Sequence, residues 1–157
     1  MANLIELLGK IPRSNVDFPG YKEDPEYFEE AGKQGIKFRS SPDWLSKKRA
    51  FTLGNTVFIP PGSAKESQNL AETLEPFSTM TVRQIKEQPH RYLAEEEIPH
   101  VAQYRQKGLL GFLGSYLGDL IKHRGQGHMY NKPGTLESFH YGHPSEKIKL
   151  RDIALRK

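Results

Sequence analysis

Apolar and polar positions fall into short blocks along this chain, and the blocks predict a mixture of helices and strands. Residues 1–23 hold one brief apolar helix candidate, MANLIELLGKIPR, and then the turn-rich PRSNVDFPG. The stretch DPEYFEEAGKQG (24–35) reads as a capped helix, with Asp24 at the N-cap, Pro25 in the first turn and Gly35 closing the far end. In KKRAFTLGNTVFIPPG (47–62), β-prone residues flank Gly54-Asn55, a pair suited to positive φ, which predicts a hairpin. Pro60 and Pro61 end its second strand. Residues 63–77 are polar and fit either a loop or a short helix, and 78–88 fit a helical turn or two before Pro89. A longer helix is expected from Pro89 to Lys107, stopped by Gly108. An apolar helix over 109–121 follows, then a Gly-, His- and Pro-rich stretch from 122. The closing SEKIKLRDIALRK carries Ile148, Leu150, Ile153 and Leu155, and reads as a strand or helix docked on the core or on a partner. No internal repeat or low-complexity tract is present.

Composition narrows the class. A chain of 157 residues fits one domain with a real core. A mean hydropathy of −0.69, with 14 glycines and 11 prolines, marks it as polar and loop-rich. The net charge is +4, but the basic residues are scattered among 19 acids without an aromatic-interleaved stripe, so no nucleic-acid partner is expected. The absence of cysteine excludes disulfides and thiolate metal sites. The start has no basic n-region, and Glu6 and Gly9 interrupt its apolar stretch, so no signal peptide is expected. The run GLLGFLGSYLGDLI (108–121) contains Asp119 and is too short to span a bilayer, which suits a buried core helix. The expected location is the cytoplasm or the inside of a larger particle.

The segment AEEEIPHVAQYRQKG (94–108) raises the question of chemistry. In H-E-x-x-H zinc helices, two histidines one turn apart hold the metal and the intervening glutamate acts on its bound water. Here Glu97 and His100 stand where that glutamate and the second histidine belong, and Glu96 stands where the first histidine would be. On a helix Glu96 and His100 share one face. Taken alone, E-E-E-x-x-H also describes a solvated acidic patch.

The surroundings extend the pattern. His100, Val101, Gln103, Tyr104 and Gly108, followed by an apolar helix and then by Tyr130, Asn131, Pro133, Leu136 and Glu137, resemble small gluzincin-type metallopeptidase domains of bacteria and their mobile elements. Those domains read H-E-L-V-H-V-x-Q-Y/W, a glycine, an apolar helix and Y-x-x-N-P-x-E-x-E-A-Y. The hairpin FTLGNTVFIP (51–60) resembles the strand pair that precedes their active-site helix. The likeness covers about residues 49–142, leaving 1–48 and 143–157 as extensions of a single domain. It implies an α+β zincin-like fold, with a β-hairpin beside two main helices and short accessory helices. It also implies metal ligands at Glu96, His100 and Glu137, and a general base at Glu97. The apolar helix would pack beneath the site and join the two ligand segments.

Two departures bear on activity. Two carboxylates and one imidazole cancel the charge of a divalent ion, whereas two imidazoles and one carboxylate leave it positive. A neutral centre acidifies water less and favours a harder ion such as manganese over zinc. Pro99 also lies inside the helix, where it deletes the hydrogen bond to the Glu95 carbonyl; we expect a kinked but continuous helix. Two functions therefore follow. One is a metal-dependent peptidase or hydrolase. The other, favoured by both departures, is an inactive descendant serving as a structural or binding component among protein partners, such as a phage particle or a cell-envelope secretion machine. His123, His128, His140 and His143 fit a second metal site or, more simply, solvated loop histidines. Tyr130 or Tyr141 fits an oxyanion stabiliser in an active peptidase or, more simply, a packing residue. In an empty site, a protonated His100 or a basic side chain such as Arg105 is expected to relieve the repulsion between carboxylates.

Overall fold

The structure is a computed structural model, and it describes residues 15–41, 49–122 and 144–156. It is a mixed α+β fold, mostly helical, with one small sheet. In chain order the elements are a 3-10 turn (Pro19–Glu23), α1 (Pro25–Lys33), β1 (Lys37–Ser40), β2 (Phe51–Leu53) and β3 (Thr56–Ile59). They continue with α2 (Pro61–Asn69), α3 (Ala71–Leu74), a 3-10 turn (Glu75–Phe77), α4 (Val82–Glu87), α5 (Pro89–Lys122) and α6 (Pro144–Leu155).

Local chemistry sets the element ends. The Asp24 carboxylate accepts from the Tyr27 N–H at 3.0 Å and caps α1, Pro25 opens the helix, and Gly35 leaves it at φ 79°. Thr81 and Gln84 form a reciprocal capping box at the start of α4. The hairpin is the predicted one: β2 and β3 pair antiparallel across Gly54-Asn55, with Gly54 at φ 63°. A third strand joins it. β1 pairs parallel with β3, placing β3 in the centre of the order β1-β3-β2.

The inward face of the sheet carries Phe38, Val57 and Ile59, all buried. Phe18, Phe28 and Phe38 close on one another, with the Phe28 and Phe38 rings edge to face at 4.9 Å. Each such side chain contributes roughly 1.5–3 kcal/mol through removal from water. Asn15, itself buried, ties the layers together. Its amide donates to the Phe28 and Ile36 carbonyls, and its oxygen accepts from the Phe38 N–H. Ile98, Val101 and Ala102 of α5 complete the core with Leu150, Ala154 and Leu155 of α6, so the closing segment is a helix docked on the core. Ala71, Met80, Ile85 and Tyr92 form a second cluster under α3 and α4.

Helix α5 continues through Pro99 and changes direction at Gly108 (φ 70°, ψ 173°). Its first arm, 89–107, is the expected long helix. The second arm departs in part from the expectation of a buried apolar helix: Phe112 packs on His100, but Leu110, Leu113 and Leu117 are 83%, 47% and 56% exposed. Helical spacing requires that some face of an element be buried, but a sequence this uniformly apolar does not reveal which face. Among the described residues, no helix is long and apolar enough to cross a membrane.

Candidate functional site

Consecutive residues of a helix project about 100° apart, so Glu95, Glu96 and Glu97 leave α5 in three directions. Glu95 is buried and lies 3.3 Å from Arg151 Nη1 of α6. The Tyr27 hydroxyl is buried in the same region without a well-formed hydrogen bond. Burial first, and then the Glu95 charge, push the pKa of that phenol well above its usual value. Arg151 also pairs with Asp152. Burial alone would lower its pKa, but the Glu95 and Asp152 carboxylates outweigh that and raise it.

Glu96 meets α6 one turn earlier. Its Oε1 accepts from Lys147 Nζ at 2.7 Å, and the same ammonium donates to the Phe77 carbonyl at 2.9 Å. The Lys147 side chain is only 2% exposed and that of Glu96 13%. Glu97 turns to the sheet, where its Oε2 lies 2.9 Å from the Thr52 hydroxyl of β2. The Glu97 backbone carbonyl is 3.1 Å from that hydroxyl, so the Thr52 proton is held between carboxylate and carbonyl.

His100 lies one turn beyond Glu96 on the same face, and its Nδ1 is 2.7 Å from Gln103 Oε1 one turn further on. With the amide oxygen towards the ring, Nδ1 carries a proton and donates to Gln103. The ring edge rests on Phe112 of the second arm, centroids 6.2 Å apart. Glu97, His100 and Gln103 are all buried. This is a folded-in polar face, not a solvated acidic patch.

Arg105 does not relieve the carboxylates. Its guanidinium reaches Asn55 Oδ1 and the carbonyls of Ala154 and Gln34, tying the hairpin turn, α6 and the end of α1 to α5. Burial, and next the Arg156 charge, lower its pKa. The balancing cations are Lys147 and Arg151 of α6 instead. Neither was singled out from the sequence, although their spacing of four residues on a helix puts both on one face.

Glu137, His123, His128, His140, His143, Tyr130 and Tyr141 lie outside the described residues. Among the described residues, no three His, Cys, Asp or Glu side chains group as a metal site. The fit of an ion to Glu96 turns on Lys147. A divalent ion at that carboxylate would face an ammonium already 2.7 Å from it, so these side chains as arranged do not fit one.

A carboxylate–histidine contact lies at the start of α5. Glu23 accepts from the backbone N–H groups of His90 and Arg91, and its other oxygen is 2.6 Å from His90 Nδ1. Arg91 reaches Asp24 and stacks over the Tyr27 ring. This pair caps the helix, where a carboxylate also complements the dipole. Compared with models of known protein families, with curated proteins and with solved structures, the chain matches none.

Proposed function

We propose that this chain is a degenerate zincin-like domain in which an internal ion pair has replaced the metal, and that it serves as a structural or binding component of a larger assembly. The observation that carries this reading is the buried Lys147–Glu96 pair. In a metallopeptidase helix the residue at the Glu96 position binds the ion that activates water. Here that side chain is a carboxylate, and its counter-charge is a lysine from α6. Such a pair balances charge but offers no open coordination position for water or substrate. The Thr52–Glu97 contact supports the same reading, since the general-base position is engaged with the sheet.

The test is metal analysis of protein purified without a histidine tag or added zinc, followed by peptidase assays with zinc present. The reading expects far less than one metal per chain and no zinc-dependent hydrolysis. The double variant Glu96→His/Lys147→Met, which restores a ligand and removes the competing cation, should gain zinc affinity by a large factor in calorimetric titration. One zinc per wild-type chain, with turnover that disappears in Glu97→Gln, would overturn the proposal and establish a metal-dependent hydrolase.

A further inference from the structure

We propose that the second arm of α5, residues 109–122, docks this protein on an anionic bilayer surface. Among its described side chains, Phe112 and Ser115 tie the arm to the preceding helix. Past the bend at Gly108, Phe112 sets its ring against His100 and Tyr104, at centroid distances of 6.2 and 6.4 Å, and Lys107 Nζ donates to Ser115 Oγ at 3.1 Å. Leu110, Leu113 and Leu117 recur at i, i+3 and i+7, the spacing of a single stripe, and all three face solvent. Gly114 lies within that stripe with open space where a side chain would be. Phe112 and Ser115 therefore face the domain, while the leucine stripe faces outward.

The chemistry of the arm selects the occupant. From Gly108 to Gly118 there is no charged residue, so the strip offers a partner almost nothing for polar recognition. A second copy is a poor match in area. Fourteen residues make a helix about 21 Å long and roughly 10 Å wide, a strip far short of the ~800 Å² per partner of a stable protein interface. A bilayer sets no such requirement. Leucines on a glycine- and serine-containing helix enter the boundary between headgroups and acyl chains. Lys107 and Lys122 bracket the arm in sequence against one acid within it, Asp119, and the chain carries a net charge of +4, which complements anionic headgroups. The arm lies on the surface and does not cross it. This inference stands apart from the zincin-like reading, because it uses neither the glutamates nor a metal.

The experiment is co-sedimentation of the full chain with vesicles of phosphatidylcholine and phosphatidylglycerol, and with vesicles of phosphatidylcholine alone. The wild type should pellet with the mixed vesicles and more weakly with the neutral ones. Leu113→Glu and Leu117→Glu should each weaken binding at least about tenfold. Their circular dichroism and thermal transition should stay close to those of the wild type, because both side chains lie outside the buried core clusters. A wild-type chain left in the supernatant with both vesicles overturns the proposal, as does binding that both substitutions leave unchanged. Self-association of the wild type that either substitution abolishes, without vesicle binding, also overturns it and assigns the stripe to a second copy.

Discussion

Lys147 and Glu96 form a 2.7 Å ion pair between the C-terminal helix and the glutamate-rich turn of α5, with the lysine almost wholly enclosed. Burial of a charge is tolerated only when a partner and hydrogen bonds compensate it, and the Phe77 carbonyl supplies the second contact. Lys147→Met should therefore destabilise the protein by about 3 kcal/mol, the low end for a broken buried pair because Glu96 retains some solvent. The double variant Glu96→Met/Lys147→Met should recover most of that loss. Urea unfolding of the two single variants and the double measures the coupling, and additive losses would mean that the pair does not act as a unit.

Thr52→Val keeps the shape of the side chain and removes the hydroxyl that donates to Glu97. A hydrogen bond to a charged group contributes about 1.5–3 kcal/mol, and its loss leaves a buried carboxylate short of a donor. The expected effect is destabilisation in that range, read by chemical denaturation. Thr52→Ser, which retains the hydroxyl, should cost clearly less.

Tyr27→Phe deletes a buried hydroxyl that has no well-formed hydrogen bond. At neutral pH the variant should be as stable as the wild type, or more stable by up to ~1 kcal/mol. The two proteins should diverge in alkali. Burial and then Glu95 raise the folded-state pKa of Tyr27 above 10.0, so the folded state holds its proton where the unfolded chain releases it. The stability this provides is complete below the unfolded pKa and is lost as pH rises through the folded one. Wild-type stability should thus fall more steeply above about pH 10 than that of Tyr27→Phe, in unfolding curves collected across that window.

Gly20→Ala tests a close approach. A methyl group there would lie 2.4 Å from His90 Cβ, and also against the Phe18 ring. Neither can retreat easily, because His90 is pinned by Glu23 and Phe18 lies in the core. Overpacking of this kind costs roughly 1–3 kcal/mol, measurable as a lowered thermal midpoint. An unchanged midpoint would show that the turn at Pro19–Glu23 moves freely relative to α5.

Features written in local chemistry were legible in the sequence. Asp24-Pro25 and Gly35 frame α1, Gly54-Asn55 makes the hairpin, and Gly108 turns α5, because each acts through its own backbone. Strand β1 was not legible. Only Phe38 of KFRS is buried, and its pairing to β3 is parallel with partners nineteen residues downstream, from Lys37 to Thr56. The exposed stripe of the second arm was missed for a related reason: apolar residues announce a helix, but burial depends on what packs beside it.

The candidate site divides in the same way. Helical spacing alone put Glu96 and His100 on one face, and α5 runs through Pro99 as a continuous helix. The partners of the three glutamates come from elsewhere in the chain. Arg151 is 56 residues from Glu95, Lys147 is 51 from Glu96 and Thr52 is 45 from Glu97. No local pattern connects residues that far apart.

Those separations also order events during synthesis. Glu95 and Glu96 leave the ribosome some fifty residues before the cations that neutralise them. Until α6 follows, this turn of α5 lacks the two cations that it meets in the folded domain. One element, α6, thus both completes the apolar core and supplies the counter-charge of that turn.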